Sequence, residues 1–184
     1  MRRFDGGSET VRLLALIFTV VLAMALLAGC SNDPGVSVSD AAVPPVVPSK
    51  PDLTTAQAAV RSYADWISYA YRILDSDTAT QTFTPNEEVR VDAYVQYNLI
   101  EGRAIEQYLE RSDYKRVKPS GEATVTLAGS EFWRYRYIDP ARQSYTTGPL
   151  EASYDATYTV VRSSDGLWRV DSVEVVRRGE PEPQ

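Results

Sequence analysis

Few side chains in this sequence are equipped for acid, base or nucleophilic chemistry. It contains no histidine and a single cysteine, Cys30. A histidine base, a Ser/His/Asp or Cys/His catalytic set, a Cys or Cys/His zinc site and any disulfide within one chain are therefore excluded. Carboxylates and tyrosines remain. Asp65 and Asp92 fall in stretches of helical periodicity and read as solvated helix residues, as do Glu87 and Glu88. Asp155 and Asp171 fall by strand alternation on an outward face with Thr159. The chain is rich in rings, with 12 tyrosines and 3 tryptophans. Tyr63, Trp66, Trp133, Tyr135, Tyr154, Tyr158 and Trp168 form a candidate ligand pocket in which rings supply apolar surface and hydroxyls fix orientation. The same rings would serve equally as packed core. No metal site stands out, no cofactor is expected, and no residue is assigned a catalytic role.

Charge and the N-terminus bound where such a pocket would work. The formal net charge is -6, and without residues 1–29, which hold Arg2, Arg3, Arg12, Asp5 and Glu9, it becomes -7. An acidic surface repels phosphate backbones and anionic headgroups, so nucleic acid is not an expected partner. Residues 1–12 are polar with three arginines, and residues 13–29 carry no charge, which is the layout of an export signal. Seventeen apolar residues are also the lower limit for a spanning helix, so an uncleaved anchor is physically allowed. The stretch Leu27, Ala28, Gly29, Cys30 resembles the lipobox of bacterial lipoproteins. That resemblance implies cleavage before Cys30, acylation of its thiol and amine, and a place on the outer side of a cell membrane, held by a lipid anchor. Residues 30–52 then read as a lipidated cysteine followed by a disordered tether, with prolines at 34, 44, 45, 48 and 51 and a reach of about 70 Å. Residues 178–184 read as a solvated tail.

Residues 53–177 divide into a helical half and a strand half, which predicts an α+β fold. The first helix opens with Thr54 as cap and Gln57 closing a capping box, and Val60, Tyr63, Ala64, Ile67, Tyr71 and Leu74 form its apolar stripe. A second begins at Thr84, Pro85 and Glu87, another capping box, and continues through Val91, Val95, Gly102, Ile105 and Leu109. Gly102 marks either a break into two helices or a close approach to the sheet. After residue 121 the period becomes two. The expected strands carry Ala123 to Leu127, Trp133 to Tyr137, Ala152 to Val160, and Trp168 onward. Parity pairs Tyr135 with Tyr154, Trp133 with Ala156, and Arg134 with Asp155. A three-residue loop, Ser164 to Gly166 with Gly166 left-handed, sets Val160 opposite Val170.

Helices followed by an antiparallel meander that ends in "YDATYTVVRSSDGLWRVDSVEV", residues 154–175, resemble the nuclear transport factor 2-like superfamily. The closing hairpin is similar to that of its secreted and membrane-tethered bacterial members, and to the related domain of chloroplast-division membrane proteins. The resemblance implies N-terminal helices on a curved antiparallel sheet of about four strands, wrapped into a cone with a pocket. Members act as enzymes, ligand carriers or protein-binding modules, so the fold does not select a function. The isomerases and cyclases among them use a pocket Asp or His as base. An enzyme here would require a buried carboxylate within hydrogen-bond reach of a pocket tyrosine. The expected function is a membrane-anchored, non-catalytic domain binding a small apolar ligand or an envelope protein, with an isomerase or cyclase-like enzyme as the alternative.

Overall fold

A computed structural model describes residues 40–119 and 121–179 of the chain. The apolar run, the Leu27 to Cys30 motif and the end of the tail lie outside the described residues. Helix α1 spans Ala56–Ile73, a 3-10 helix spans Ser76–Thr82, and α2 spans Pro85–Ile100. Strands β1 (Ala104–Pro119), β2 (Thr124–Asp139), β3 (Ser144–Tyr145), β4 (Leu150–Arg162) and β5 (Trp168–Arg177) follow. The long strands form one antiparallel sheet in the order β1-β2-β4-β5, and β3 pairs with the end of β2. The architecture is α+β, three helices on a five-stranded open sheet.

The cap of α1 is Thr55, whose side-chain oxygen accepts the Ala58 N–H at 3.2 Å. The expected cap, Thr54, instead donates its hydroxyl to Asp52 Oδ1 at 2.6 Å. The apolar stripe is buried as predicted, with Val60, Tyr63, Ala64, Ile67 and Tyr71 all in the core. Leu74, at φ 60°, closes the helix in the left-handed conformation.

Helix α2 starts at Pro85 but contains no capping box. The Thr84 hydroxyl donates to Asp171 Oδ1 on β5 at 2.6 Å, and Glu87 turns inward, only 2% exposed, so it is not the solvated residue its neighbours suggested. The helix ends at Ile100 rather than running to Leu109. Gly102 takes φ +63°, where a side chain would be strained, and the Arg103 N–H returns to the Asn98 carbonyl at 3.0 Å. Ile105 and Leu109 therefore lie on β1. Their four-residue spacing fits a helical stripe and one face of a strand equally well, which is why the sequence pattern alone misassigned them.

β2 joins two expected strands into one of 16 residues. Its register with β4 differs by four residues from the one expected: Tyr135 faces Leu150, Trp133 faces Ala152, Arg134 faces Glu151, and Tyr154 faces Glu131. The intervening chain is no tight hairpin, since a turn at Asp139 and strand β3 lengthen it. A shift by an even number keeps every side chain on its expected face. Arg134 consequently pairs with Glu110 at 3.1 Å, and Asp155 with Arg178 at 2.5 Å, both on the solvent side. The last hairpin has the three-residue loop, Gly166 at φ +81° and Val160 opposite Val170, as expected.

Residues 40–52, expected within a disordered tether, lie along the domain as a strap. The Ala42 N–H donates to the Gln143 carbonyl (2.8 Å), Arg72 Nη2 to the Val43 carbonyl (3.1 Å), Trp66 Nε1 to the Ser49 carbonyl (3.2 Å) and the Asp52 N–H to Ser62 Oγ (2.9 Å). Pro44, Pro45 and Pro48 have no N–H to satisfy, so this path needs no regular ladder.

Candidate functional site

The concave side of the sheet and the two long helices enclose a cavity of about 370 Å³. Strand alternation aims Glu131, Trp133, Tyr135 and Tyr137 into it from β2, and Tyr154 and Tyr158 from β4. Helical spacing brings Tyr63, Ile67 and Tyr71 from α1, and Arg90 and Tyr94 from α2; Ile105, Gln107, Val173, Val175 and Arg177 complete the wall. The lining thus holds seven tyrosines.

The deep end centres on Glu131, 4% exposed. Its Oε1 accepts the hydroxyls of Tyr114 (2.5 Å) and Tyr158 (2.6 Å), and its Oε2 accepts Trp133 Nε1 (2.7 Å). Three donors satisfy a carboxylate that would otherwise be costly to bury. Burial, and next the adjacent Glu131 charge, push the Tyr114 and Tyr158 hydroxyls up from their ordinary value of 10.0.

A second cluster sits between α1 and α2. Tyr63 donates to Glu87 Oε1, and Arg90 holds the same oxygen through Nε (2.8 Å) and through Nη2, which also reaches the Tyr63 oxygen (2.5 Å). Burial pulls the Arg90 guanidinium down, but Tyr63 and Glu87 outweigh it and raise it, so Arg90 stays charged. Edge-on ring contacts join the clusters: Tyr63 to Tyr158 at 6.2 Å between centroids, and Tyr158 to Tyr114 at 5.5 Å. Near the mouth, Arg103 lies over the Tyr137 ring at 4.4 Å.

Of the seven rings singled out from sequence, Tyr63, Trp133, Tyr135, Tyr154 and Tyr158 line this cavity. Trp66 and Trp168 do not. Trp66 anchors the strap and packs edge-on against Tyr69, while Trp168 packs half-buried on the core and donates its backbone N–H to Leu53. Asp65 borders a separate groove under the strap and Asp92 accepts from Ser76 on the outside, so neither faces the cavity. Glu131, absent from the residues singled out above, shares the odd parity of Trp133, Tyr135 and Tyr137. Extending the alternation by one step places a carboxylate on the aromatic face. Among the described residues no group of three His, Cys, Asp or Glu could hold a metal ion, and no helix is long and apolar enough to cross a membrane.

No protein-family profile and no curated protein matches this chain in sequence. Solved structures do match in fold. The intermembrane space region of the chloroplast protein ARC6 aligns with TM-score 0.55 and 13% identity, over 70% of this chain and 99% of that one. A nuclear transport factor 2-like superfamily protein from Salmonella enterica serovar Typhimurium aligns with TM-score 0.48 and 8% identity, over 70% and 97%. A ketosteroid isomerase-like protein from Erwinia carotovora atroseptica aligns with TM-score 0.46 and 12% identity, over 70% and 97%. Of these three, the ARC6 region aligns with a TM-score above 0.5 and shares the fold of this chain. At these identities the likeness concerns the fold alone.

Proposed function

We propose that this chain is a lipid-anchored, extracytoplasmic binding protein whose aromatic cavity holds a small, mainly apolar ligand without transforming it. The observation that carries the reading is the cavity itself. Its 370 Å³ falls in the range of small-molecule sites, and its wall combines ring faces with a few fixed polar groups. The non-catalytic part rests on Glu131. The carboxylate oxygens that a base would present to a ligand already accept from Tyr114, Tyr158 and Trp133. Anchoring rests on the resemblance of Leu27 to Cys30 to a lipobox, since several acyl chains hold a protein stably where one is marginal.

Native mass spectrometry of the protein purified from its own host tests the reading. A retained small molecule is expected, and Tyr135→Ala, which opens the wall, should release it. A wild-type protein that carries nothing, and that crosslinks in cells only to an envelope protein, would replace the ligand by a protein partner. One observation favours a second reading, an isomerase or cyclase-like enzyme: Glu131 is a buried carboxylate in contact with the cavity tyrosine Tyr158. Turnover of the retained molecule that Glu131→Gln abolishes, with binding intact, would establish that reading instead.

A further inference from the structure

We propose that the ligand is an anionic amphiphile, with its acidic group on Arg90 at the mouth and its apolar body directed inward along the tyrosine rings. The inference rests on the binding reading above and adds the chemistry of what is bound. Arg90 is held by one edge only. Its Nε and Nη2 are committed to Glu87 and Tyr63, whereas its Nη1 has no hydrogen-bond partner among the described residues, and the side chain is 44% exposed at the cavity wall. A guanidinium fixed in this way presents its remaining N–H groups with little rotamer freedom left to lose, which suits recognition of a carboxylate, sulfonate or phosphate.

The opposite end disfavours the reverse orientation. Glu131 has its neighbouring donors already engaged by its own oxygens, so an acidic group placed there would meet a like charge and find no hydrogen to accept. Along the wall the half-buried rings of Tyr135, Tyr137 and Tyr154, with Val173, offer apolar surface. Arg177 also lines the cavity. The two ends therefore differ in what they offer: Arg90, though paired with Glu87, keeps N–H donors for an incoming anion, whereas Glu131 presents acceptor oxygens alone.

A matched pair of fluorescent probes tests this on the full-length protein in mild detergent: anilinonaphthalene sulfonate and phenylnaphthylamine, which share one aromatic body and differ in the acidic group. Energy transfer from tryptophan to probe reports binding to the protein, separately from probe in micelles. The wild type should bind the sulfonate about tenfold or more tightly than the neutral probe, as a charge-assisted hydrogen bond provides. Arg90→Gln should erase that preference and leave the neutral probe unchanged. Because this variant leaves Glu87 buried without its counter-ion, the double variant Glu87→Gln with Arg90→Gln serves as a second check and should behave alike. Equal affinities in the wild type, or a preference that survives both variants, would overturn the acidic-ligand inference and leave the binding reading standing. Failure of both probes to receive energy transfer would overturn both.

Discussion

Tyr63, Tyr71, Tyr114 and Tyr158 crowd around the buried carboxylates Glu87 and Glu131, and burial raises the ionisation of all four above the ordinary value of 10.0. The consequence for stability has a definite sign. Above pH 10 the unfolded chain releases these protons while the folded chain keeps them, so the folded state binds more protons and stability falls as pH rises. Below pH 10 their stabilising contribution is complete. Urea midpoints measured at about pH 8 and about pH 11 should therefore fall at the higher pH, and a flat profile would contradict the burial of these hydroxyls. At this scale the sequence was a partial guide. Trp133, Tyr135, Tyr154 and Tyr158 were legible because strand alternation reports facing directly, and Tyr63 because it falls on the apolar stripe of α1. Glu87 and Arg90 were not, because an i,i+3 acid and base pair on a helix ordinarily reads as a solvated surface pair, and only the approach of Tyr63 from another helix makes it a wall of the cavity.

Within the sheet, Gly129 allows β1 and β2 to come close. It lies between Tyr114 and Ala156 on the neighbouring strands, and a Cβ there would stand 2.0 Å from the Asp113 carbonyl oxygen. Backbone cannot yield as a flexible side chain does, so Gly129→Ala should lower stability by about 3 kcal/mol or more, read from denaturant unfolding. Ser130→Ala, one residue further on the solvent side, should change it by less than about 0.5 kcal/mol. The elements show the same division of legibility as the residues. Helix α1 and the final hairpin were readable because the apolar stripe and the turn chemistry act within a few residues, although the cap of α1 fell on Thr55 and not on Thr54. The end of α2, strand β1 and the β2–β4 register were not, since each depends on contacts distant in sequence: the turn at Gly102, a four-residue spacing common to helix and strand, and the extra pairing of β3. Faces survived the register error because the displacement was even.

For the molecule as a whole, the fold leaves the function open, and the address and the cavity together narrow it. If Cys30 is the lipid attachment point, Cys30→Ala should abolish lipid labelling and block the shift to the shorter mature form on a gel; a variant processed and labelled like the wild type would remove the anchor from the proposal. The strap bears on the same question. With Ala42, Val43, Ser49 and Asp52 bound to the domain, nine residues, 31–39, separate Cys30 from the first described residue, where the sequence pattern had offered 22. Nine extended residues reach about 30 Å at most. Were Cys30 lipidated as proposed, a domain held by this strap would stay close to the headgroups, and an amphiphile leaving or entering that membrane would meet the cavity at high local concentration.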